Sequence, residues 1–227
     1  MPELSNGQKS KTSRRTLLKW SGGGLAMIAM AGGFLPNFGI SAALAADLGS
    51  GDIGILNYAY ALEQIEAAFY TKAMNAPYAG MSAAEKSILT DIRDHEVQHR
   101  EFLKKALGSK AIPSLNVNFS KVNFASRTSV LGTAKVFEDL GVSAYNGAGH
   151  LIKNGDYLLA AGKIVSVEAR HAATIRLLLS PNSASFAGRD VVDKNGLDGA
   201  KLPAAVLKAA GPFIKTPVTA NSLVGLK

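Results

Sequence analysis

Between residues 52 and 180, apolar and polar positions alternate with a helical period, in four blocks separated by breaks of unequal length. In the first block Leu56, Glu63 and Tyr70 stand seven apart, and the run Asn57–Leu62 feeds the same apolar face. Seven residues make nearly two helical turns, so such a trio lies along one stripe and predicts a helix over about 52–75. Ser82-x-x-Glu85 is a capping box that opens a second helix, ending near Gly108. A third helix, from about Thr128 to Lys153, repeats the spaced trio as Leu131, Glu138 and Tyr145, with Asn154-Gly155 as its stop signal. The fourth starts at Asp156 and must end before Pro181. The connection over residues 109–127 is the long one, with Pro113 and the alternating run Leu115–Phe119. Short, long and short connections describe an all-α fold, a four-helix bundle of two helical hairpins joined by a crossover. After Pro181 only Pro203–Ala210 reads as helix, among Gly, Pro and Ser, which predicts an ordered wrap and then a loose end.

Carboxylates interrupt the apolar stripes. Glu63 sits among Leu56, Ala59, Tyr60, Ala67 and Tyr70; Glu138 among Leu131, Ala134, Val142 and Tyr145; Glu168 among Ile164, Val165, Ala172 and Ile175. A lone glutamate in such a place is best read as a residue at a helix edge, because burying an unpaired charge is costly. Here the pattern is doubled. Ile92-x3-Glu96-x2-His99-x3-Leu103 on the second helix returns as Ile164-x3-Glu168-x2-His171-x3-Ile175 on the fourth. The order is Glu, Glu-x-x-His, Glu, Glu-x-x-His, which suits two related hairpins about a pseudo-two-fold axis. A Glu and a His three apart share a helix face. Four inward stripes would therefore gather Glu63, Glu96, His99, Glu138, Glu168 and His171 into the ligand set of a dinuclear carboxylate site. Four carboxylates balance two divalent cations, and one imidazole per ion suits iron or manganese, with zinc compatible.

This ligand order resembles that of the ferritin-like superfamily, whose di-iron and di-manganese members carry it. Leu62-Glu63-Gln64-Ile65-Glu66-Ala67-Ala68-Phe69-Tyr70, with Gly196-Leu197, Val206 and Gly211-Pro212-Phe213-Ile214 further on, is similar more narrowly to exported ferritin-like proteins related to plant desiccation-associated proteins. That likeness spans about residues 47–215. It implies a ferritin-like bundle, Glu96 and Glu138 as bridging ligands, and a role in stress or desiccation protection.

Three further side chains are expected behind the ligands: Tyr70 and Tyr145, to hydrogen-bond ligand carboxylates or to pack, and Glu66, as an acceptor for a histidine. Asp94 and Asp139 compete for acidic roles. His95-Glu96-Val97-Gln98-His99 also matches a zinc-protease pattern. Val167 holds the place of His95 in the second copy, and no third ligand follows at the right spacing. His95 is therefore expected at a helix boundary or in solvent, away from the metals.

The N-terminus modifies the charge balance. Ser13-Arg14-Arg15-Thr16-Leu17-Leu18-Lys19 resembles a twin-arginine export signal, the apolar run Gly22–Leu35 follows, and Ala43-Leu44-Ala45 reads as a cleavage site. Residues 1–45 are then a signal peptide, 46–180 the bundle and 181–227 a C-terminal extension. The leader carries five of the 25 basic and one of the 17 acidic residues, so +8 becomes 20 against 16, or +4. No block of Lys and Arg remains for nucleic acid, and no stable membrane span is expected after processing. With 0 cysteines, thiolate sites are excluded. The expected protein is periplasmic or otherwise exported by the twin-arginine machinery, holds two iron or manganese ions, and does redox chemistry with dioxygen or peroxide as an oxidase, peroxidase or catalase-like enzyme. A homo-oligomer is compatible with this. The alternative is a non-enzymatic bundle with an empty or vestigial site.

Overall fold

The computed structural model describes residues 45–223. Arg14, Arg15 and the apolar run expected to form a signal peptide lie outside them. Four long helices dominate: α1 (Gly51–Asn75), α2 (Ala83–Leu107), α3 (Arg127–Gly149) and α4 (Gly155–Leu179). They are flanked by α5 (Pro203–Ala210) and two short strands, β1 (Ala46–Asp47) and β2 (Val218–Thr219). The protein is an all-α four-helix bundle, as expected, in which α1 packs along α2 and α3 along α4. Short connections at 76–82 and 150–154 make each pair antiparallel. The crossover after α2 lets α3 run in the same direction as α2.

α1 is the inner helix. Eighteen of its 25 residues are buried, as expected for a helix apolar nearly all round. Its polar members are put to use: Asn57 donates from Nδ2 to the Leu48 and Lys110 carbonyls and accepts from the Ile112 amide, and Gln64 accepts from the Leu115 amide. The crossover is thus fastened to the helix it covers. α4, with six buried residues, is the outer helix.

Caps set the helix starts. Ser82 Oγ accepts from the Glu85 amide at 3.1 Å and Glu85 returns the bond to the Ser82 amide at 3.2 Å, completing the capping box. Arg127 then joins three helix ends, donating to Glu85 and to the Leu178 carbonyl. One boundary differs from the expectation. α3 stops at Gly149 rather than at Lys153, because both Asp52 carboxylate oxygens take backbone amides, those of Lys153 and Asn154, each at 2.8 Å. Asn154 is consequently the N-cap of α4, accepting from the Asp156 and Tyr157 amides, and not the end of α3.

The C-terminal segment wraps the bundle. It crosses α3 at Gly147, where an added Cβ would stand 1.9 Å from the Lys201 carbonyl oxygen, so no larger residue fits. The Lys201 amide donates to the Ser143 carbonyl. Buried Arg176 forks onto Asp139 and also holds Asp190 and the Ser185 carbonyl, binding the segment after α4 to α3. Val218 and Thr219 pair in parallel with Ala46 and Asp47. The wrap thus ends in this short pairing, and Leu223 beyond it is buried. No described helix is long and apolar enough to cross a membrane.

Candidate metal centre

Glu63 comes from α1, Glu96 and His99 from α2, Glu138 from α3, and Glu168 and His171 from α4, and the six side chains meet in the middle of the bundle. Each of the four carboxylates has 0% exposure. Two overlapping groups form, in each of which one ligand atom per residue lies within 4.8 Å of the others: Glu63, Glu96, His99 and Glu168, and Glu96, Glu138, Glu168 and His171. Glu96 and Glu168 belong to both. The family resemblance implied Glu96 and Glu138 as the bridging pair. The geometry favours Glu96 with Glu168, and the pseudo-symmetry explains why: the axis exchanges the two Glu-x-x-His helices, so a shared ligand on one has its counterpart on the other.

The rest of the cluster obeys the same symmetry. His99 Nδ1 lies 2.9 Å from Glu168 Oε1, and His171 Nδ1 lies 2.8 Å from Glu96 Oε1. Tyr145 on α3 donates to Glu63 on α1 at 2.5 Å, and Tyr70 on α1 donates to Glu138 on α3. The two tyrosines therefore orient the two outer carboxylates, and packing alone does not describe them. Burial, with nearby carboxylates, pushes both phenols well above their ordinary pKa, so they remain donors.

Burial raises the Glu63 pKa to about 8, helped by repulsion from Glu96, and drives Glu138 upward and Glu168 well up. Burial alone would do the same to Glu96, but hydrogen bonds from His171 and His99 outweigh it and hold that group low. Burial would lower both imidazoles. The carboxylates around them prevail, and His99 rises to about 12 and His171 to about 10.

The inward-facing atoms lack donors and acceptors of their own. Apart from their contacts with one another, Glu63 Oε2, both oxygens of Glu96 and Glu168, Glu138 Oε2, and Nδ1 of each histidine are buried without a hydrogen-bond partner. Each such atom costs about 1–3 kcal/mol if left so. Eight of them converging on one space fit cations bound by oxygen and nitrogen, with both imidazoles presenting Nδ1.

Neighbouring residues separate from the cluster. Asp139 is taken by Arg176, and Asp94 is exposed beside Arg93. Glu66 is buried but makes no hydrogen bond to either histidine. It lies at Gly141, where an added Cβ would be 3.3 Å from Glu66 Oε1 and 3.4 Å from Glu168 Oε2. Burial, then the four surrounding carboxylates, pushes the Glu66 pKa well up.

His95 lies at the boundary between α2 and α4, as expected, but touches one of the candidate ligands. Its side chain is 44% exposed, yet Nδ1 lies 2.9 Å from His171 Nε2, and the two rings are nearly parallel. It is in neither ligand group, and it partners the outer nitrogen of a histidine whose inner nitrogen faces the carboxylates. Such a contact fixes ring orientation and tautomer. Val167 stands at the matching position of the second copy, so the doubled pattern does not reveal this contact.

Over residues 51–181 the chain matches the family model described as the ferritin-like domain. No curated protein matches it.

Proposed function

The chain belongs to the ferritin-like domain family, and from that premise we propose that it is an exported protein that holds two iron or manganese ions and does redox chemistry with dioxygen or peroxide. The observation that carries this reading is the pair of overlapping ligand groups sharing Glu96 and Glu168, lined by buried atoms with no other partner. Glu63 and His99 would complete one position, Glu138 and His171 the other. Two adjacent ions of these metals would each supply one electron, matching the two-electron reduction of dioxygen to peroxide or of peroxide to water.

The protein's own part is to hold that chemistry in place. Four carboxylates neutralise two divalent charges, so a loaded core carries no net charge from its metal shell. Tyr145 and Tyr70 keep Glu63 and Glu138 aimed inward, and His95 steadies His171. Glu66 lies beside Glu168, within the site yet outside both ligand groups. The deciding experiment measures metal content and the consumption of dioxygen and hydrogen peroxide on one purified sample. We expect two ions per chain and turnover that disappears with chelation. Metal-free protein of full stability that consumes neither oxidant would instead favour a structural bundle.

Export is supported by Arg14-Arg15 ahead of an apolar run, and a route that carries folded cargo would allow metal insertion before export. Stress or desiccation protection is the physiological role the resemblance implies. Arg14→Lys with Arg15→Lys should leave full-length precursor in the cytoplasm on fractionation and immunoblotting. Processed double variant outside the cytoplasmic membrane would refute the twin-arginine assignment.

A further inference from the structure

One layer of the bundle beside the carboxylate cluster is left incompletely filled. A cavity of about 30 Å³ lies there between the helices, where about 10–15 Å³ already admits a water-sized molecule. Leu56, Ala59, Leu103 and Ile164 form its buried floor with Tyr145. Phe102, 51% exposed, and the partly exposed Tyr157 and Ala161 stand where it reaches the surface.

The positions of these residues follow from the ligand pattern. Ala59 is four before Glu63, Ile164 four before Glu168, Leu103 four after His99, and Tyr145 seven after Glu138. In this arrangement of helix directions all four displacements point to the same end of the bundle. Four residues rise about 6 Å, so the cavity is the layer next to the ligands. Tyr145 is the wall between them, with its ring on the cavity and its hydroxyl committed to Glu63. The lining is otherwise nearly all carbon. A water there would find too few partners, and apolar cavities of this kind stay dry and accept apolar guests.

We propose that this cavity is a binding site for a small apolar gas of dioxygen size, held one helical turn from the carboxylate cluster with access from the surface past Phe102. Dioxygen as the natural guest rests on the redox reading above; the existence of the site does not. Peroxide, with two O–H donors and two acceptor oxygens to satisfy, would gain nothing from such a lining.

Xenon tests the site directly, because it is apolar, of similar size and visible in crystals. Crystals of the protein under xenon pressure should show an atom among Ala59, Leu103 and Ile164. Ala161→Leu, which adds three carbons at the partly exposed wall, should exclude it while melting temperature and metal content stay unchanged. Ala106→Leu fills the same space from α2 and serves if the first variant folds poorly. In iron-loaded protein the filled variant should raise KM for dioxygen by about tenfold with kcat unchanged and leave the reaction with hydrogen peroxide as it was. A cavity holding ordered water instead of xenon, or xenon bound equally in the filled variant, would overturn the proposal. Xenon in place with no oxidation of ferrous protein would uphold the gas site and remove the redox function.

Discussion

Manganous ion is expected to bind this protein more tightly by several orders of magnitude at pH 7.5 than at pH 5.5, with protons expelled as it enters. In the metal-free fold His99 and His171 keep their protons to about 12 and about 10, Glu63 keeps its own to about 8, and Glu168 is pushed well up. A cation can use none of these groups until the proton leaves. The two imidazolium protons and part of that on Glu63 give a release on the order of two to three protons as the cluster fills, and each proton steepens affinity by about tenfold per pH unit. Calorimetric titration in two buffers of different protonation enthalpy counts the protons. A count near zero would mean that the cluster is already ionised and open, contrary to the burial that surrounds it.

Replacing Glu63 and Glu138 together by glutamine should strengthen the metal-free fold and abolish its response to metal. The sign follows from linkage. Glu63 has a folded pKa above its unfolded one, so between about 4.5 and about 8 only the folded chain holds the proton, and stability falls as pH rises through that window. Glu138 shifts the same way. The raised histidines add to the fall, their contribution being present below about 6.5 and lost as pH rises toward about 10 for His171 and about 12 for His99. Glu96 opposes them only in acid, where its depressed value gives up stability as pH drops below about 4.5. Glutamine keeps the oxygen that Tyr145 or Tyr70 donates to and turns an amide toward the remaining carboxylates. The double variant should therefore melt on the order of 5 °C higher at pH 8, with little change at pH 5. Added manganese should then raise its melting temperature no further. A variant that melts lower at pH 8, or still gains from metal, would show that these two carboxylates neither repel in the apo core nor bind in the filled one.

The helices could be read along the chain because their signals are local: a capping box at Ser82, apolar stripes seven apart, and proline at 181 and 203. The cluster could be read because duplication makes an improbable pattern visible, four glutamates on apolar faces in matching order. What escaped was set by contacts distant in sequence. Whether Glu138 or Glu168 is shared depends on how two hairpins face each other, which spacing within either one does not reveal. The early end of α3 is made by Asp52, about a hundred residues earlier, competing for backbone amides. His95 was set aside for lacking a twin, but its job is to partner one histidine, and that needs no twin.

The seam between β1 and β2 has a consequence for timing. Ala46 pairs with Val218, 172 residues later, and Leu48, fully buried, donates its amide to Thr219. At synthesis rates of about 5–20 residues per second, the first strand waits roughly ten to thirty seconds for its partner. Throughout that interval the stretch immediately following the expected leader has nothing to pair with, and Gly54 lacks the Leu223 side chain that covers it. A stalled or truncated chain would keep that edge open, and only a finished one would close it. The last strand to be made thus seals the first, so completion of the chain and closure of that edge coincide.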